Sequence, residues 1–366
     1  MKKLFTILSC SLSLVLAAGT SIAQSKLPGV IAAGEKAVQS PKIPGGSIQV
    51  VHEGKVVLNH AFGKASARAS RDWRTDEVVA IASMSKPITA TLVAVFVEEG
   101  KLDFKDPVSK YLEEFSSIKM KSGGDVRSPT IAECLSHTAG FPGGTIKSLP
   151  DDSAARTGGA KEVTAEILEG GLIAEPGTKF AYTFRGFAVV ARIVEKVSGK
   201  KYSVVLKEKL LDPLKMNETG FVPTKEMIDR IPLVAGLEAT EEKVARYLER
   251  KKKDWENPAG GLSSTSDDLV KFYQFHLDGG KAGEQQLVSR EVLNRMYVSQ
   301  PGTKAYGIGF NVSKNVIRHG GASGTTGWAD RKTKVIFIGL TQAGSKNAGP
   351  FLKPTSNLVT KHFAKK

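Results

Sequence analysis

Of 366 residues only two are cysteine, at positions 10 and 134, too few to staple a scaffold together. Acidic residues are scarce beside basic ones, 37 Asp plus Glu against 52 Lys plus Arg, which leaves a formal charge of +15. Six histidines fall at 52, 60, 137, 276, 319 and 362, and no two stand at the i, i+4 spacing that brings two ligands to one helix face. With no cysteine pair either, neither a metal nor another cofactor is expected. Also missing are an internal repeat, a zinc-finger, RNP-type or P-loop pattern, and a Gly-x-Ser-x-Gly elbow, since Ser323 follows Gly321 at the right distance but Thr325 stands where the second glycine belongs. Nucleic acid is therefore not the expected partner, and an α/β-hydrolase triad is disfavoured. What is present excludes disorder, collagen and coiled coil, because 41% hydrophobic residues suffice for a sizeable core in one large or two small domains.

A long apolar run occurs once. Lys2 and Lys3 precede the apolar stretch from Leu4 to Ala18, and Ser21-Ile22-Ala23 then supplies a small-x-Ala pattern. This three-part order predicts a secretory signal peptide over residues 1–23, cleaved before Gln24. The run is shorter than the ~20 residues needed to span a bilayer, which weighs against a membrane anchor. The mature chain, 24–366, is then expected to be periplasmic or secreted, with a charge of +13 once Lys2 and Lys3 have gone. Cys10 leaves with the leader, and the apolar neighbours of Cys134 predict a buried, inert thiol. Basic runs at 250–253 and 361–366 read as solvated surface, suited to electrostatic contact with an anionic cell envelope.

Along the mature chain, strand-like runs cluster at the ends. Residues 47–51 and 55–60 flank a turn at Gly54 and predict a hairpin, and three further runs follow at 306–312, 316–321 and 335–340. Between them, helices are predicted over 88–99, 186–197 and 267–277, stopped by Gly100, Gly199 and Gly279. The simplest assembly is an α/β fold of the α+β type. It has a mixed antiparallel sheet of five or more strands built by both ends (about 40–65 and 300–345), flanked by helices, with an inserted helical lobe over about 85–280. Residues 24–366 are read as a single unit with its site in the cleft between lobe and sheet.

Ser-x-x-Lys occurs three times, at Ser83, Ser116 and Ser198. Ser198 meets the Gly199 stop and Ser116 lies in a polar stretch, so both read as surface. Ser83 differs, because the apolar run 78–82 leads into it and the helix over 88–99 leads out, with Pro87 tolerated in the first turn. Lys86 then sits one turn on and on the same side. A serine hydroxyl is a poor nucleophile at neutral pH, and a neighbouring lysine held unprotonated, or one acting through another base, can take its proton. Free N–H groups at the helix start favour an oxyanion. The plainer alternative, an N-cap serine followed by a surface lysine, stays open on the motif alone.

Ser83-x-x-Lys86 in this setting resembles the serine β-lactamase and penicillin-binding-protein superfamily. The surrounding text narrows the resemblance to the class C β-lactamase branch, with its esterases and D-peptidases. It rests on Ile43-Pro44-Gly45-Gly46, Glu98 to Asp103, Ser136-His137-Thr138-Ala139-Gly140, Pro176-Gly177-Thr178, Asp212-Pro213-Leu214, Ala259 to Thr265 and His319-Gly320-Gly321, in family order over roughly 43–342. The resemblance implies an acyl-enzyme on Ser83, with Lys86 assisting and Tyr182 as general base, its phenolate favoured by Lys86. It implies an oxyanion hole from the N–H groups of Ser83 and Ala322, beside His319, Gly320 and Gly321. Phe184 falls where the family's Tyr-x-Asn motif carries an amide that meets the lysine and the substrate, and a phenyl ring can do neither. His319 in place of lysine removes a fixed charge, so affinity for penicillin-like anions is expected to fall. The expected partner is a small ester or amide, a D-amino-acid peptide, a cell-wall fragment or a β-lactam. A non-catalytic penicillin- or peptidoglycan-binding relative is the alternative.

Overall fold

The structure is a computed structural model describing residues 27–66, 71–144, 158–232 and 255–364, together with positions 242, 245 and 249. The expected leader at 1–23 and the basic run at 250–253 lie outside the described residues.

Six strands make one antiparallel sheet: β1 (Gly45–His52), β2 (Lys55–Gly63), β3 (Asn311–Val312), β4 (Val316–Gly321), β5 (Thr325–Asp330) and β6 (Val335–Thr341), in the spatial order β2-β1-β6-β5-β4-β3. The helices include α1 (Pro28–Ala37), α2 (Ser85–Glu98), α3 (Ile131–Leu135), α4 (Ala160–Gly170), α5 (Arg185–Ser198), α6 (Tyr202–Leu206), α7 (Ser266–Leu277), α8 (Arg290–Met296) and α9 (Ser345–Phe363). The expected hairpin forms at Glu53 and Gly54, both with positive φ, as a tight two-residue turn requires. β1 then pairs with β6 from Gly46 opposite Thr341 to His52 opposite Val335, so the two ends of the chain build the sheet together.

β6 is buried throughout, which is why 335–340 reads as an unbroken apolar run rather than an alternating one. One face of the sheet packs Ile48, Val50, Trp328 and Phe337 under α1 and α9. The other face packs Val51, Ile317, Ile336 and Ile338 against the helical lobe. α2 runs through the middle of that lobe, buried at every residue from Ser85 to Val97.

Two sequence expectations need correction. The run 306–312 forms strand only at Asn311–Val312, because Gly309 turns the chain with φ 79° and lies against α2 so closely that a Cβ there would overlap Ala90. Residues 306–310 are thus a loop laid on the helix that carries Lys86. β5 was not anticipated, since Thr-Thr-Gly-Trp carries little apolar alternation, yet it pairs with both β4 and β6.

Candidate active site

Ser83 sits in a single 3-10 turn, Ala82–Met84, between a two-residue strand at Val79–Ala80 and the start of α2. Ala82 holds φ at 46°, a left-handed conformation that costs an L-residue roughly 1 kcal/mol and persists only where the surroundings impose it. The surroundings are dense. The Ile81 N–H donates to Leu262 O at 3.0 Å, the Ser85 hydroxyl donates to Ala82 O at 2.8 Å, and the Thr325 hydroxyl on β5 donates to Ile81 O at 3.2 Å. Ser83 does not cap the helix: the N-cap of α2 is Met84, with no side-chain cap. The plainer reading of the motif therefore fails on geometry.

Lys86 is 3% exposed and donates from Nζ to Ser83 Oγ at 3.1 Å and to Ala259 O at 2.8 Å. Among the described residues no carboxylate pairs with it, and burial alone brings its pKa down to about 7. Its ammonium lies 4.8 Å from the centre of the Tyr182 ring. Burial pushes the Tyr182 phenol above its ordinary value, and the nearby Ser83 hydroxyl opposes that shift. The resemblance implies Tyr182 as general base with Lys86 assisting; here burial lowers the lysine and raises the phenol, which brings Lys86 nearer to its neutral form at neutral pH.

β4 brings the third element. His319 and Gly321 face the Ser83 turn, and Gly321 is required there because a Cβ would overlap the Ile81 carbonyl oxygen. Gly320 alternates to the other side, where with Arg318, Trp328, Ser356 and Phe363 it lines a groove of about 750 Å³ beside α9. Ala322 follows on an exposed turn, and among the described residues neither its N–H nor that of Ser83 has a backbone acceptor. Both are free to meet an oxyanion. Phe184 is 3% exposed, edge-on to Trp255 at 6.2 Å and covered by the Arg185 guanidinium at 5.1 Å, so it offers no surface to a substrate. The lysine contact expected of an amide at 184 is made by Ala259 O. No three His, Cys, Asp or Glu side chains among the described residues gather as a metal site.

Two residues that sequence reasoning passed over complete the cluster. His137, in the Ser-His-Thr-Ala-Gly stretch between α3 and Phe141, packs against Tyr182 with ring centres 4.4 Å apart and the planes tilted by 43°. Its Nε2 meets the Tyr306 hydroxyl at 3.2 Å, and that hydroxyl meets His319 Nε2 at 3.0 Å. Tyr306 belongs to the misread strand; had 306–310 been read as a loop on α2, its tyrosine was the signal.

A Ser-x-x-Lys turn at the head of a buried helix, faced by a tyrosine loop and the edge region of an antiparallel sheet, defines the β-lactamase/transpeptidase class of fold. The chain belongs to the Beta-lactamase family, whose family model matches residues 31–359. Protein flp of Staphylococcus aureus (strain COL) is 26% identical over 307 residues, which are 82% of this chain and 59% of that protein; the chain thus spans about three fifths of the length of such curated relatives. Among solved structures, "EstCE1, a hydrolase with promiscuous acyltransferase activity" superposes with a TM-score of 0.74 at 18% identity, covering 90% of this chain and 97% of that one. A family VIII carboxylesterase does so at 0.71 and 21%, covering 92% and 98%.

Proposed function

We propose that the chain is a secreted serine hydrolase that forms an acyl-enzyme on Ser83 and cleaves small esters or amides. The observation that carries this reading is Lys86 Nζ at 3.1 Å from Ser83 Oγ, buried with no counter-charge among the described residues. In its neutral form Lys86 takes the Ser83 proton as Oγ attacks the acyl carbonyl. The developing oxyanion accepts from the Ser83 and Ala322 N–H groups. The Tyr182 hydroxyl passes a proton to the leaving oxygen or nitrogen and is resupplied from Lys86, and water then releases the acyl group by the reverse path.

Two features support a substrate with an uncharged acyl side. Both His319 nitrogens are engaged inside the protein, and burial brings its pKa to about 3, so it presents no cation to a carboxylate. Phe180, 40% exposed, places an aromatic ring beside His137 and Tyr306 at the site's edge. The hydrolase and carboxylesterase among the structural neighbours agree with an ester. The leader-like residues 1–23 support secretion, which an intact mass beginning at Gln24 checks. A fluorophosphonate probe should label the wild-type chain and not Ser83→Ala; equal labelling of both ends this reading. The non-catalytic alternative rests on Phe184; Ala259 O supplies the contact to Lys86 that an amide there would make, and repeated turnover of a p-nitrophenyl ester would end that alternative.

A further inference from the structure

We propose that His137 and Tyr306 are positioning residues that lock Tyr182 and His319 beside Ser83 by holding the two histidines as opposite, neutral tautomers. The inference rests on the hydrolase reading for its function, though not for its geometry.

The tautomers follow from which partners can only give or only take a proton. The Thr183 N–H can only donate, and it points to His137 Nδ1 at 3.2 Å, so that nitrogen is bare. A neutral His137 then carries its proton on Nε2 and donates it to the Tyr306 oxygen. The carbonyl of Gly320 can only accept, and it lies 2.8 Å from His319 Nδ1, so that nitrogen is protonated. His319 Nε2 is left bare and receives the Tyr306 hydroxyl proton. One direction of donation satisfies all four bonds, from the Thr183 amide to the Gly320 carbonyl. A proton added to His137 sets a donor against the Thr183 N–H, and one added to His319 takes from the Tyr306 hydroxyl the acceptor of its proton.

The same chain brackets Tyr182. The Ala181 N–H donates to His137 O at 2.8 Å and the Thr183 N–H to His137 Nδ1, so one histidine grips the residues on both sides of the tyrosine while its ring packs, tilted, against the phenol. To do this His137 adopts φ 64°, a left-handed conformation that persists only where the surrounding contacts impose it. Tyr306 carries the grip across to β4. Among the described residues the groups facing this chain are Lys86 from α2, Tyr182 and Tyr273 from α7, whose hydroxyl donates to Gly327 O, while Arg318 on the opposite face of β4 acts on His319 only through its charge. No carboxylate is among them, and both imidazoles are held well below their ordinary pKa, first by burial and then by Lys86. Among the described residues Lys86 is thus the cluster's one titrating cation.

Nitrogen-15 imidazole spectra of the wild-type chain test this directly. His137 should appear as the Nε2–H tautomer and His319 as the Nδ1–H tautomer, both unchanged from about pH 5 to 9. Matching tautomers, or a charged imidazole at either position near neutrality, overturn the proposal. Tyr306→Phe should mix the His319 tautomers and lower kcat on p-nitrophenyl acetate about tenfold or more with KM within about threefold. Unaltered kcat in a folded variant overturns the positioning role. Because the spectra need no turnover and can be repeated on Ser83→Ala, failure of the tautomer assignment is distinguishable from failure of the hydrolase reading, which the probe labelling decides.

Discussion

At the residue scale, the site is a problem of proton placement among Ser83, Lys86 and Tyr182. An ammonium removed from water without a counter-ion gives up its proton more easily, and the Ala259 carbonyl and Ser83 hydroxyl are the partners the described contacts give Lys86. With its pKa at about 7, kcat/KM on a neutral ester should climb about tenfold per pH unit below that point and level off above it. Lys86→Arg tests the cause, since a guanidinium stays charged and cannot take the serine proton; a fall of about a thousandfold or more is expected across the whole range. A variant with near wild-type rates at pH 8 would remove Lys86 as base. Ser83 and Lys86 were legible in the sequence because spacing and apolar flanks mark a buried helix start. The left-handed backbones at Ala82 and His137 were not, because tertiary contacts rather than local preference hold them. The partner that Lys86 has in place of an amide at 184 was not legible either, because it is a carbonyl 75 residues away in the chain, at Ala259.

At the scale of elements, the helices over 88–99, 186–197 and 267–277 appear within about three residues of their expected ends, since apolar spacing and glycine stops are local signals. The loop at 306–310 and strand β5 were hidden because close approach to other backbone, not pattern, decides them. The same close approach governs how α5 places the tyrosine loop. Gly186, in the first turn of α5, lies against α3 with no room for a side chain: a Cβ would overlap the Cys134 carbonyl oxygen. Gly186→Ala should therefore destabilise the chain by about 3 kcal/mol or more, despite alanine's better helix propensity, because backbone must shift to admit the methyl. α5 begins directly after Tyr182-Thr183-Phe184, so in any fraction that stays folded the phenol is displaced from Ser83 and probe labelling slows. A thermal midpoint equal to wild type would show that α3 and α5 can separate at no cost.

At the scale of the whole molecule, the sheet joins β1 to β6 across nearly the full chain, and the lobe it encloses has α2 as its most buried helix. That joining of ends was legible because strand-like runs appeared only near the termini, and it means that no part of the site can form before distant segments meet. It also makes Lys86 a charge in the middle of a core shared by every layer. Its folded pKa, about 7, lies below the ordinary 10.5, so between those values the unfolded chain binds more protons than the folded one. Stability from this residue therefore rises with pH: the penalty is complete below about pH 7 and fades as pH approaches 10.5. A shift of that size corresponds to about 5 kcal/mol for keeping the ammonium charged, of order-of-magnitude accuracy. Replacing it by methionine forfeits two hydrogen bonds at about 1.5 kcal/mol each, leaving a net gain of about 2 kcal/mol at pH 6. Lys86→Met is thus expected to be inactive and yet more resistant to urea at pH 6, with the advantage shrinking or reversing near pH 9.5. Equal midpoints at pH 6 would mean that Lys86 is solvated in the folded chain, and the argument for a neutral lysine at the nucleophile would lose its physical basis.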